Sequence, residues 1–316
     1  MLIYDKAYME LKNKYLIPIT KYSVPYTHLR NTNIKKIILN KSTAVDMPRD
    51  NEYVFHFDEN NLLKGLLGDI ELFYIRQVVQ RKDAEICGQL KSSANWNIVT
   101  YYYRAFFAAS LMLRLCYRGN IFLDNDLKRG IETLISDITG NVVKLDSNQF
   151  YEVYKENEEY VLKITPMTDG THELVWKKMD MLIDEMILLT RKKSTESVVL
   201  LSIKEINRSL RNTYPSQLRN RVNYQPIYGL DYLDKKLFPI NNNVIWHKQL
   251  MNFSKTCNDN EIACYMYAYS MYIEYFCSNF IAEYYEIRGY ENGLIKHLKD
   301  IYADGIDKLE AIYSFE

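Results

Sequence analysis

Trp96-Asn97-Ile98-Val99-Thr100-Tyr101-Tyr102-Tyr103-Arg104-Ala105-Phe106-Phe107-Ala108-Ala109-Ser110-Leu111-Met112 decides how this chain is read. Ile98, Val99, Tyr101, Tyr102, Phe106, Phe107, Leu111, Met112 and Leu115 return at helical intervals. Ala105, Ala108, Ala109 and Ser110 put small residues beside those rings, so a neighbouring helix can approach closely while the aromatics fill the space alongside. The stretch therefore predicts the central helix of a bundle, ended by the glycine signal Gly119-Asn120.

Upstream, Leu62, Leu63, Leu66, Leu67, Ile70 and Val78 mark a long amphipathic helix from Asn61, with charge on its other face from Arg76 to Glu85. Downstream, Leu127 to Ile138 reads as a shorter helix closed by Gly140. The period then falls toward two in Val142–Leu145, Phe150–Tyr154 and Tyr160–Ile164, a β-hairpin or three-stranded ribbon with a polar turn at Lys155–Glu159. Helices resume from about Glu173 to Leu189 and from Ser194 to Asn212, and a last one runs from Gly293 to Ile312. The stretch from Glu261 to Ile287 is apolar on nearly all sides, which fits a central core helix and a helix covered by a partner chain equally.

Before the bundle, residues 4–15 suggest a short helix and Leu16 to Asn33 an irregular arm. The β-branched or aromatic runs Ile34–Leu39 and Tyr53–Phe57 read as strands, separated by the turn signal Met47-Pro48-Arg49-Asp50-Asn51. The expected fold is mainly α. It has an N-terminal arm with short strands (1–60), a helical bundle with a β insertion at about 142–165 (61–230), and a C-terminal helical extension packed on it (231–316).

Forty basic and 40 acidic residues cancel, so a bulk polyelectrolyte role is unsupported while a local basic patch stays open. Eleven glycines and seven prolines are few for 316 residues and favour long helices. The five cysteines form no CxxC or Cys/His cluster, as expected of reduced thiols in a cytoplasmic protein, and neither a metal nor a cofactor is expected. Asp124-Asn125-Asp126 lacks the glycine and the closing Glu of a calcium loop, and no phosphate-cradling glycine motif is present. The N-terminus meets charge too early for a signal peptide, and no run approaches the roughly 20 apolar residues of a membrane span.

Chemistry concentrates near residue 220. From Lys204 to Arg221 the only acid is Glu205; Lys204, Arg208 and Arg211 share a helix face, and Arg219 and Arg221 extend the positive field. Such a patch suits a nucleic-acid backbone, and equally a solvated helix face. Arg219-Asn220 is sharper, since a guanidinium fork matches two phosphate oxygens and an amide can orient them. His28, His56, His172 and His297 read as surface or packing histidines.

Trp96–Ala109, together with Leu218-Arg219-Asn220-Arg221-Val222-Asn223-Tyr224, resembles the HEPN superfamily (higher eukaryotes and prokaryotes nucleotide-binding) over residues 60–225. The resemblance implies a HEPN-like helical bundle that dimerises around a composite cleft. It also implies a metal-independent ribonuclease of prokaryotic defence or toxin modules, built on Arg, a following polar residue and a His separated from the Arg by four to six residues. Arg219 and Asn220 match the first two positions, but Tyr224-Gln225-Pro226 occupy the third, and the next histidine is His247. A phenol, with a pKa near ~10, is a poor general base at neutral pH. Tyr224 or His247 would have to complete a catalytic site. Two functions follow as expectations: an RNA- or nucleotide-directed effector, and a non-catalytic scaffold that binds partner proteins as a homodimer or in a defence hetero-complex.

Overall fold

The structure, a computed structural model of the 316-residue chain, describes residues 6–89, 94–167, 169–210, 214–225 and 259–288. In order, α1 (Lys6–Leu11) passes through a π turn (Lys12–Leu16) into α2 (Ile17–Ile19), followed by α3 (Ile34–Lys41), β1 (Ala44–Arg49) and β2 (Glu52–His56). The long α4 (Glu59–Gln89) and α5 (Ala94–Leu115) come next, then β3 (Arg118–Phe122), α6 (Asn125–Thr139), β4 (Asn148–Glu156) and β5 (Glu159–Pro166). Helices α7 (Thr171–Leu189), α8 (Thr195–Leu210), α9 (Tyr214–Tyr224) and α10 (Asp259–Arg288) complete a mostly helical molecule with one antiparallel sheet. The last predicted helix, Gly293 to Ile312, lies outside the described residues.

The predicted central helix is central: α5 packs against α4, α7, α9 and α10. Ala105, Ala108, Ala109 and Ser110 are buried, and α10 approaches so closely that the Cys277 thiol reaches the Ala108 carbonyl oxygen at 3.6 Å. Every side chain from Ala268 to Cys277 is buried, so this part of α10 is covered within the chain itself. Two buried ion pairs pin α5. Arg104 donates to Glu274 of α10 through Nε (2.5 Å) and Nη2 (2.8 Å). Arg114 donates to Asp69 of α4 (3.0 Å), which also accepts from the Tyr151 hydroxyl of β4 (3.0 Å).

The sheet runs β1-β2-β5-β4-β3. Its centre is the predicted hairpin: Glu156 pairs with Glu159 across Asn157-Glu158, both at positive φ as a twisted two-residue turn requires. The hairpin is extended by β2 on one side and β3 on the other, so strands from the N-terminal arm and the bundle share one sheet.

Four local expectations are corrected. Ile34–Leu39 is helix, not strand: Asn33 accepts the Lys36 amide at 3.3 Å as N-cap, and Ile34, Ile37 and Ile38 bury a helical stripe. That helix lies tight on α4, where a Cβ on Gly68 would sit 1.6 Å from the Thr32 carbonyl oxygen. Val142–Leu145 is not a strand, because Val142 is exposed and the Leu145 amide is taken by the Glu132 carboxylate at 2.8 Å instead of by a ladder partner. Met47-Pro48-Arg49 belongs to edge strand β1 across a register shift, where proline removes no ladder bond that matters, and only Asp50-Asn51 forms the turn. Gly119-Asn120 does not end α5; the helix stops at Leu115, Tyr117 takes the left-handed turn (φ 62), and Gly119 lies within β3, where a Cβ would press 2.8 Å from the Tyr151 ring.

The Arg104–Glu274 pair yields a direct expectation. Glu274→Ala leaves a buried guanidinium uncompensated and should lower the unfolding free energy by about 3–5 kcal/mol. Replacing both partners by Met should cost less, and guanidinium denaturation followed by circular dichroism separates the two.

Candidate anion-binding site

The polar stretch that begins at Tyr214 folds as α9, an 11-residue helix seated against α5 and α7 by Ser216, Leu218 and Val222, all buried. Successive residues of a helix point about 100° apart, so this seating separates the residues the sequence groups together. Arg219 is half-buried and turned inward: its guanidinium carbon lies 5.6 Å from the Tyr102 ring centre and 5.9 Å from that of Tyr103. Asn220 is exposed, and Tyr224, four residues on, shares that outer face with 72% of its surface exposed. Tyr224 is therefore not brought to Arg219 as a catalytic partner. His247 and Arg211 lie outside the described residues.

The basic patch also divides. The Lys204 ammonium bonds Asp180 and Asp184 of α7, each at 2.7 Å, and Asn207 donates to the other Asp180 oxygen at 2.9 Å, so this lysine ties α8 to α7. Arg208 and Arg221 are exposed. Arg219 differs from its neighbours: its Nε is buried without a hydrogen-bond partner among the described residues, and no carboxylate among them pairs with it. A desolvated guanidinium with no counter-charge is costly, and an oxyanion offsets that cost.

What the structure brings to Arg219 is His172, from the first turn of α7. Its ring lies 4.4 Å from the Phe106 ring and 5.7 Å from the Tyr102 ring, and its Nδ1 is 2.7 Å from the Tyr102 hydroxyl. The Trp176 indole N–H donates to that hydroxyl at 3.4 Å, and the Ser216 hydroxyl of α9 lies 3.4 Å from it on another side. With the indole donating, the phenol proton goes to its nearer acceptor, His172 Nδ1, which leaves the imidazole proton on Nε2. Burial, and then the positive charge of Arg219, push the His172 pKa down to about 4, so the imidazole is neutral at physiological pH. Burial likewise raises the Tyr102 phenol, which stays protonated.

Comparisons of the chain with protein-family models, with curated proteins and with solved structures each found no match. The site therefore rests on its own geometry. Among the described residues no three His, Cys, Asp or Glu side chains gather as metal ligands, and no helix is long and apolar enough to cross a membrane. The chemistry on view is one guanidinium, one neutral imidazole and a hydroxyl chain against an aromatic wall.

In the sequence His172 reads as a surface or packing histidine, with no link to Arg219. It precedes Arg219 on a different helix, and the available hint was the i, i+4 pairing of His172 with Trp176 and of Tyr102 with Phe106.

A group whose pKa is lower folded than unfolded binds more protons when unfolded, so stability rises with pH through that interval. The His172 contribution should be full above about pH 6.5 and lost as pH falls toward about 4. Urea midpoints measured across that range should fall with pH for wild type and fall less for His172→Gln.

Proposed function

We propose that the inner face of α9 recognises phosphate and that the chain is an RNA- or nucleotide-directed component, HEPN-like in its bundle, of a prokaryotic defence or toxin module. The carrying observation is Arg219: a half-buried guanidinium against the Tyr102 and Tyr103 rings, with no carboxylate among the described residues to neutralise it. A planar fork of donors suits two oxygens of one phosphate. Three other cations nearby are already matched, Arg104 by Glu274, Lys177 by Asp169 and Glu173, and Lys204 by its two aspartates, while Arg208 and Arg221 are exposed.

Recognition is better supported than cleavage. Strand scission by this chemistry needs a base beside the anchored phosphate, while Tyr224 and Asn220 face solvent and the Nδ1 of His172 is engaged by Tyr102. The exposed Asn220, Arg221 and Tyr224 favour a second reading for the outer face of α9, since tyrosine and arginine are enriched where proteins meet. On that reading the chain is a non-catalytic scaffold, docking a second copy or a defence-system protein.

Arg219→Ala should weaken binding of a fluorescent single-stranded RNA roughly tenfold to a hundredfold, the loss of a hydrogen bond to a charged group. Fluorescence anisotropy measures it, with circular dichroism confirming that the variant is folded. Equal affinity of the two proteins would remove the phosphate reading. Incubation of both with total RNA tests cleavage separately, and intact RNA in both would favour recognition alone.

A further inference from the structure

The hydroxyl of Tyr102 has two acceptors within reach, His172 Nδ1 at 2.7 Å and Ser216 Oγ at 3.4 Å, and it accepts from Trp176 at 3.4 Å. This gives the cluster two self-consistent hydrogen-bond patterns. In the first, the phenol donates to His172 and the imidazole is neutral. In the second, both imidazole nitrogens carry protons, Nδ1–H donates to the phenol oxygen, and the phenol proton turns to Ser216. The second pattern leaves none of these polar groups stranded, and the two differ by one proton taken from solvent.

We propose that Arg219 and His172 form a single proton-coupled oxyanion site, in which a phosphoryl or sulfuryl group held by Arg219 is accompanied by uptake of one proton at His172 while Tyr102 turns its hydroxyl to Ser216. The proposal rests on the reading of Arg219 as a phosphate anchor. Its physical basis is the charge balance around the imidazole. From α9 it faces Arg219, whose field opposes a second positive charge. From α5 it faces the rings of Tyr102, Tyr103 and Phe106. On α7 itself, Glu173 is engaged by Lys177, which also holds Asp169, and Trp176 stacks away toward Tyr269 of α10. No carboxylate among these groups is free to stabilise an imidazolium. An oxyanion at Arg219 offsets that opposing field, cancelling it for a monoanionic phosphodiester and leaving a net negative charge for sulfate, and so favours the imidazolium.

The ligand class is thus a compact oxyanion, either a free one or a phosphate of RNA. Two probes separate these sources: inorganic sulfate, whose charge is constant across the working pH range, and the dinucleotide UpA, whose phosphodiester is likewise constant. Binding to the full chain is titrated by NMR at fixed ionic strength between about pH 5 and pH 7.5, with His172 ring nitrogens followed in ¹⁵N-histidine-labelled protein. Wild-type affinity should rise as pH falls, approaching about tenfold per pH unit between the free and bound values of the histidine, and His172→Gln should be flat. Added probe at constant pH should move the His172 ring signals toward those of an imidazolium, and Ser216→Ala should reduce that shift. A common slope for UpA and sulfate assigns an RNA phosphate, whereas a response to sulfate alone assigns a free oxyanion. Loss of binding in Arg219→Ala, together with equal pH dependence in wild type and His172→Gln, would overturn the coupling while leaving the anchor standing. Unchanged binding in Arg219→Ala would overturn the anchor itself.

Discussion

The buried pair between Arg104 of α5 and Glu274 of α10 is the constraint from which the rest of the arrangement follows. Both side chains are essentially sealed from solvent, so neither helix can rotate or slide without stranding a charge. Tyr102 and Phe106 each stand two residues from Arg104, which at about 100° per residue puts them on roughly the opposite side of α5. Fixing Arg104 toward α10 therefore turns those rings toward α7 and α9. The small residues Ala105, Ala108 and Ala109 let the helices close down around this registration.

A second anchor works at the other end of α5. Arg114 bonds Asp69, the Ser110 carbonyl and the Asn120 carbonyl, and its guanidinium lies 3.3 Å from the centre of the Phe73 ring. Asp69 also accepts from Tyr151, so one carboxylate joins α4, α5 and the sheet. Gly119 belongs to the same construction, since a side chain there would displace the Tyr151 ring. The sheet is thereby tied to the bundle by directional polar bonds as well as by apolar packing.

The candidate site is a by-product of these two anchors at the place where α5, α7 and α9 meet. Most cations around it are consumed in holding helices together, as Lys204 shows most plainly. Arg219 is spared because its carboxylate-free surroundings are aromatic: Tyr102 and Tyr103 offer the faces of their rings. Those same rings keep His172 neutral by excluding water. Charge, burial and hydroxyl orientation at this spot are one coupled system, which is why an anion there would be felt by the imidazole.

The helical periodicities were legible because they are local. The small-and-aromatic pattern of α5, the all-round apolar run of α10 and the cap at Gly140 (φ 74) each depend on residues close in sequence. Arg219 was legible as a cation beside an amide in a stretch, Lys204 to Arg221, that holds a single acid. Ile34–Leu39 was misread because β-branched composition outweighed the Asn33 cap, and β1 and β3 were missed because a proline and a glycine inside a strand look like turns. The sequence alone determined a helical protein with a central hairpin. Only the tertiary structure decided that Arg219 lies over Tyr102, whose hydroxyl bonds His172, and away from Tyr224, because that choice depends on how α5, α7 and α9 are rotated against one another, and rotation is set by buried pairs between residues far apart in the chain.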